Sequence, residues 1–489
     1  MKQYFRLITI YLVCALMMPR YVYAAPEETT PYPVVSTSNT IENWPEGPEL
    51  FSGSAVVMEA GTGTVLYEKN MDQKAYPASI TKILTAILAI ENCGMNEMVE
   101  FSYDAVFSVP RNSSHIAITP GEFLSVENCL YGLLLASANE VANALGEHVS
   151  GSTEAFVELM NKRAKELGAV NTHFNNTNGL PDENHYTTCY DMAMISRAAV
   201  VNETFIKIDS TTSYMIPSTN LQPERRPVNT QHPLLINGSR HYDGCFGGKT
   251  GYTEASGNTL VTFAKKNGMT LICVVMQSDS THIYEESTML LNYGFENFAR
   301  MNIAEHETKF NLQGSGIYES SISVFESSYP QIELNREGVV VLPIGADFSE
   351  IEPTIAFKNK EERKNVPNIL ADIKYTWHGH FVGSTTLDIT SSTQGAFSFA
   401  AEPEFIKAGY IDGKLETQDI GKKEYITINI WHMAAILLGI SLLFAIWYIM
   451  SITKHQRERW KRIRHQRHIM QAKERRRKKR KYYPTRKLH

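Results

Sequence analysis

The sequence predicts an α+β fold, in which one antiparallel sheet carries helices on it, followed by a small all-β domain and a C-terminal transmembrane helix. Three observations predict it. Short apolar runs at residues 54–58 and 64–67 read as a hairpin, and matching strand patterns return only at 249–252, 258–264 and 270–276, after a long block of helical periodicity. Residues 303–400 then read almost entirely as strands, a small β-sandwich in expectation. Residues 426–452 contain no Asp, Glu, Lys or Arg, and from Trp431 onward they are long and apolar enough to cross a bilayer.

Taken in order, the chain opens with Lys2 and Arg6, an apolar core over 7–18, and Val22-Tyr23-Ala24 before Ala25. That order is expected of a secretory signal peptide, residues 1–24. Residues 25–50, rich in Pro, Ser, Thr and Glu without periodicity, are expected to be a flexible linker. A catalytic domain is expected over 51–302. After the hairpin, Tyr76-Pro77-Ala78-Ser79-Ile80-Thr81-Lys82 reads as the start of a buried helix, with Pro77 in its first turn and Ile80, Ile83, Leu84, Ile87 and Leu88 on one side. Residues 94–125 look irregular. Helices are expected at 126–136, 141–149, 156–167 and about 190–200, with a loop of turn residues over 171–188 and a last helix at about 283–300. The β domain spans 303–400, a linker 401–428, the membrane helix 429–452 and a basic cytoplasmic tail 453–489.

Charge is unevenly spread. The tail holds 17 Lys/Arg against 2 Asp/Glu; with Lys2, Arg6 and Arg20 also basic and the whole chain at −5, residues 25–452 carry −23. The basic block after the apolar segment acts as a stop-transfer signal. It is expected to stay cytoplasmic and contact anionic lipids, leaving residues 25–430 outside the membrane with no nucleic-acid partner. Cys93, Cys129, Cys189, Cys245 and Cys273 are odd in number and widely spaced, which excludes a disulfide framework. With no Cys-x-x-Cys pair, and His115, His148, His185 and His282 scattered, neither a metal nor a cofactor is expected.

Chemistry is carried by three short motifs. Ser79-x-x-Lys82 puts a hydroxyl and an amine on one helical face, where a desolvated, neutral lysine can take the proton that makes serine a nucleophile. Ser137-Ala138-Asn139 offers a proton relay to a leaving amine and an amide to hold Lys82 or the substrate. Lys249-Thr250-Gly251, on an edge strand, offers a cation and a hydroxyl for a substrate carboxylate and a glycine against which substrate backbone can lie. The backbone N–H groups of Ser79 and Tyr252 are the natural oxyanion hole. Order and spacing together point to acyl transfer.

These motifs, with Tyr-Pro-Ala-Ser-Ile-Thr-Lys and Lys-Thr-Gly-Tyr-Thr-Glu-Ala around them, resemble the serine D-alanyl-D-alanine carboxypeptidases, the low-molecular-mass penicillin-binding proteins, over residues 50–300. The resemblance implies a β-lactamase/transpeptidase-like catalytic domain. It also implies Ser79 as nucleophile, Lys82 as base, Ser137 and Asn139 as relay and positioning groups, and Lys249 and Thr250 as carboxylate recognition. The implied reaction removes the terminal D-Ala from peptidoglycan stem pentapeptides ending in D-Ala-D-Ala, through an acyl-enzyme that β-lactams would trap. Two positions depart from the family pattern: Asn178-Gly179-Leu180 stands where relatives have His-Gly-Leu, and Asp279-Ser280-Thr281-His282-Ile283 lacks the arginine that relatives often place there. The second leaves the details of carboxylate binding open. An endopeptidase or transpeptidase would use the same constellation. A class A β-lactamase would need a Glu-x-x-Leu-Asn that is missing, and a non-catalytic wall-binding scaffold would not need the constellation at all.

Overall fold

The computed structural model describes residues 37–307, 331–359, 361–364 and 366–390. The expected signal peptide, membrane helix and basic tail, residues 401–428 and a strand expected near 321–325 all lie outside these residues. Among the described residues no helix is long and apolar enough to cross a membrane.

In chain order, the hairpin β1 (Ser54–Glu59) and β2 (Val65–Lys69) precedes the helix α1 (Lys82–Asn92). Next come β3 (Met98–Glu100), the short helix α2 (Tyr103–Phe107), β4 (Phe123–Ser125), and then α3 (Val126–Leu134), α4 (Asn139–Ser150), α5 (Thr153–Glu166), α6 (Cys189–Val200) and α7 (Glu203–Asp209). The small pair β5 (Ser213–Ile216) and β6 (Arg226–Asn229) leads to β7 (Cys245–Thr253), β8 (Gly257–Lys266) and β9 (Met269–Ser278). Helix α8 (His282–Asn297) follows, then β10 (Phe298–Asn302) and α9 (Ile303–His306). The last strands are β11 (Gln331–Leu334), β12 (Val339–Pro343), β13 (Glu352–Phe357), β14 (Ile369–Trp377) and β15 (His380–Thr390).

The first hairpin and the late strands form one antiparallel sheet in the order β2-β1-β9-β8-β7, as the sequence predicts. Its central strands are apolar at consecutive positions because both faces are covered. On β1, Val56 and Met58 face the helical block with Ile80, Ile83 and Leu84, while Ala55 and Val57 face α8 through Leu290 and Leu291. This double burial of apolar side chains is what binds α1 to the sheet. Strand β7 is left at an edge, with its outer side turned to the helical block.

The β domain differs from the expected sandwich. Its described strands form a single sheet of order β10-β12-β15-β14-β13, with β11 paired to β15. Strand β10 falls in residues predicted to continue the last helix: the chain leaves α8 at Asn297 and pairs with β12 in the register Phe298↔Pro343 to Asn302↔Val339. The linker reading also fails for residues 37–50. Trp44 and Leu50 are buried, and the Trp44 indole donates to the Leu66 carbonyl at 2.8 Å while packing against Phe298 and Trp377. Two well-placed apolar anchors outweigh a composition that otherwise favours a tether.

Candidate active site

The Ser79 segment is a strained turn before the helix. Residues Ala78–Thr81 form one 3-10 turn, in which residues three apart eclipse, and α1 starts at Lys82. Ala78 is left-handed at φ 51°, a conformation that costs a non-glycine residue about 1 kcal/mol or more. Three neighbours hold it. The Thr259 hydroxyl of β8 donates to the Pro77 carbonyl at 2.8 Å. Gly179, at φ +92°, lies so close that a Cβ there would stand 1.8 Å from the Ala78 carbonyl oxygen. Gly251 of β7 presses on the other side, where a Cβ would stand 2.8 Å from the Ser79 nitrogen. The turn therefore presents a half-exposed Ser79 hydroxyl above a fully buried Lys82.

Lys82 Nζ has three partners: Ser79 Oγ at 2.9 Å, Asn139 Oδ1 at 2.7 Å and the Asn178 carbonyl at 2.6 Å. Burial, reinforced by the positive charge of Lys249, holds its pKa well below the usual lysine value, and Glu140 opposes this only in part. A neutral amine has two N–H donors and one lone pair. In that form Asn139 and Asn178 would accept the two donors and the lone pair would accept from the Ser79 hydroxyl, the arrangement a general base requires. The Asn178 contact is one the sequence could not show, because it is made by a backbone carbonyl. It also explains why Asn can stand where relatives have His: the side chain points away, its amide donating to Asn143 Oδ1 at 3.2 Å and its oxygen accepting from the Leu180 N–H at 3.0 Å.

Asn139 opens α4, and its own N–H is held by the Ser114 carbonyl at 2.9 Å. Ser137, two residues earlier, is buried and left-handed at φ 60°, the bend that separates α3 from α4. Lys249 is 2 % exposed on β7, and its Nζ donates to the Thr250 carbonyl at 2.9 Å. Thr250 is half-buried and Tyr252 is exposed on the same edge strand. The structure thus gathers Ser79, Lys82 and Asn139 into one hydrogen-bonded group and sets Gly251 against it.

Two further groups under β7 were missed by the sequence reading. Asp209, the last residue of α7, is buried, accepts the Gly248 N–H at 2.6 Å, and has its carboxyl pushed up to about 7 by burial. It also holds Lys249, which burial lowers to about 8, from falling further. His232 lies beside Gly248 with Nε2 3.1 Å from Thr262 Oγ1; burial lowers it to about 4, so it is neutral at physiological pH. The signal that could have found Asp209 is an acidic residue ending a helix otherwise apolar on its inner face, but nothing local marks it as a neighbour of residue 249. All five cysteines among the described residues are free, as expected.

A sheet with Ser79, Lys82 and Asn139 gathered at its β7 edge defines a serine acyl-transferase of the penicillin-binding class. The D-alanyl-D-alanine carboxypeptidase family profile matches residues 41–280. The chain is 30% identical over 362 residues to D-alanyl-D-alanine carboxypeptidase DacF of Bacillus subtilis, covering 73% of this chain and 87% of that one. It is 32% identical over 289 residues to DacC of Escherichia coli, covering 57% and 69%. The crystal structure of penicillin binding protein 5 from Haemophilus influenzae superposes with a TM-score of 0.54 at 26% identity, covering 71% of this chain and 98% of that one. The chain belongs to the D-alanyl-D-alanine carboxypeptidase family.

Proposed function

We propose that this protein is a serine D-Ala-D-Ala carboxypeptidase that trims the terminal D-alanine from peptidoglycan stem pentapeptides and is trapped by β-lactams. The observation that carries the reading is the buried Lys82 amine, its pKa held well below the usual value, with Asn139, Asn178 and Ser79 as its three partners. Ser79 Oγ attacks the penultimate D-Ala carbonyl as its proton passes to Lys82 Nζ. The oxyanion forms against the backbone N–H groups of Ser79 and Tyr252, a contribution of about 3 kcal/mol to such a barrier. Ser137 hands the proton on to the departing amine, breaking the peptide bond and leaving the acyl-enzyme. Water, deprotonated by the same lysine, then hydrolyses the ester. Lys249 and Thr250 hold the terminal carboxylate throughout, Lys249 being close enough to lower the Lys82 pKa in a part of the chain that is otherwise acidic.

The same reading has the catalytic domain outside the cell membrane on a single C-terminal span, with the basic tail inside against anionic lipids. It is supported by the order of charge and apolarity at the two ends of the sequence. Covalent labelling by a fluorescent penicillin tests the chemistry: wild type labels and Ser79→Ala does not, and equal labelling of the two overturns the assignment. A diacyl-Lys-D-Ala-D-Ala peptide must release free D-Ala. Cleavage of cross-linked stem-peptide dimers without that release would instead make the protein an endopeptidase.

A further inference from the structure

We propose that Cys93, Glu97 and His148 form a zinc-binding site at the ends of α1 and α4 remote from the catalytic group. Cys93 and Glu97 stand four residues apart just after α1 and His148 comes from the last turn of α4, and each turns one donor atom to a common point, all three atoms within 4.8 Å of one another. A thiolate, an imidazole and a carboxylate together make a borderline-soft donor set that suits Zn²⁺. With zinc–ligand bonds of about 2.0–2.3 Å, donors around a tetrahedral ion stand roughly 3.3–3.7 Å apart, somewhat closer than the 4.8 Å limit these three atoms already meet. His148 Nε2 and Glu97 Oε2 are already 3.2 Å apart.

The supporting contacts are of the kind that orient metal ligands. The other carboxylate oxygen of Glu97 accepts the Gly94 N–H at 2.6 Å, which fixes the face that Oε2 presents. The Cys93 N–H is tied to the Ala89 carbonyl at 3.0 Å, and the Glu97 carbonyl accepts the Val126 N–H at 2.9 Å. The three side chains are partly open to solvent, which leaves an entry path and room for water as fourth ligand. A surface ion pair accounts for Glu97 and His148, and the Gly94 turn brings the Cys93 thiol beside them as a third donor.

The position has a consequence for the catalytic group. Helix α1 begins at Lys82 and α4 at Asn139, whose side chains are 2.7 Å apart, and the ion would clamp the opposite ends of the same two helices. Binding to the folded state alone raises the melting temperature as zinc concentration rises.

The test uses the full-length protein, stripped of metal and titrated with Zn²⁺ against a chromophoric chelator, then with Co²⁺ to look for a thiolate-to-cobalt charge-transfer band. Wild type should take up one tight equivalent, show the band and melt higher with zinc. Cys93→Ser, Glu97→Gln and His148→Ala should each weaken that equivalent by about tenfold or more. Cys93→Ser should also lose the band, with penicillin labelling unchanged in all three. Buried Cys129, Cys189 and Cys273 are out of reach of added metal, and histidines of the tail bind equally in every variant. No band in the wild type, or a Cys93→Ser protein that binds and melts like the wild type, overturns the site. Because penicillin labelling is read separately, failure here leaves the acyl-transfer reading untouched, and the converse also holds.

Discussion

At the residue scale, burial lowers both lysines of the site, Lys82 well below its usual value and Lys249 to about 8, and the proposed reaction needs the first neutral and the second charged. Lys82 is useful as the proposed base only when neutral, so kcat/KM should fall as pH drops through its depressed pKa. Lys249 is useful only when charged, so kcat/KM should fall again as pH rises through about 8. A bell-shaped profile with its alkaline limb near 8 is therefore expected, measured as D-Ala release across pH. Asp209 is the group that keeps Lys249 charged. Asp209→Asn preserves the oxygen that accepts the Gly248 N–H and removes only the charge, so the alkaline limb should move to lower pH with the acid limb unmoved. An alkaline limb that stays in place would show that another group titrates there.

At the element scale, reactivity depends on a turn that three other elements force into shape. The 171–188 loop, β7 and β8 converge on Ala78 through Gly179, Gly251 and Thr259. Gly179→Ala would put a methyl 1.8 Å from the Ala78 carbonyl oxygen at a residue whose φ of +92° already disfavours a side chain. The turn must shift, and a displacement near 1 Å at a nucleophile costs on the order of 100-fold. The acylation rate with a fluorescent penicillin should fall by about that factor, with the far-ultraviolet circular dichroism retained. Unchanged acylation would mean that the loop, and not the turn, gives way.

At the scale of the whole molecule, the catalytic sheet and the β domain share one core, closed by the segment before the first strand. Trp44 packs against Phe298 and Trp377 and bonds to Leu66, while His380 Nε2 meets the Val65 carbonyl at 2.7 Å. Trp44→Ala removes a buried tryptophan of that junction and should cost about 3–5 kcal/mol. Thermal unfolding followed by fluorescence should show a melting temperature lower on the order of 10 °C. Penicillin labelling at room temperature should persist, since Trp44 touches nothing in the site. A wild-type melting temperature would show that the two sheets are held together elsewhere.

The sequence by itself determined what local chemistry can write: the α+β order, the strands of the catalytic sheet, and the motif residues of which the structure gathers Ser79, Lys82 and Asn139 into one hydrogen-bonded group. Helical period, strand alternation and motif spacing are properties of neighbouring residues, so they are legible in a linear string. Tertiary structure alone decided what depends on distant backbone: the left-handed Ala78, the Asn178 carbonyl on Lys82, Asp209 beneath Lys249, the continuation of α8 into β10, and the packing of residues 37–50. A carbonyl has no signature in its side chain, and burial that shifts a pKa is made by segments a hundred residues away. The motif names the proposed reacting groups, and the fold shifts their pKa values.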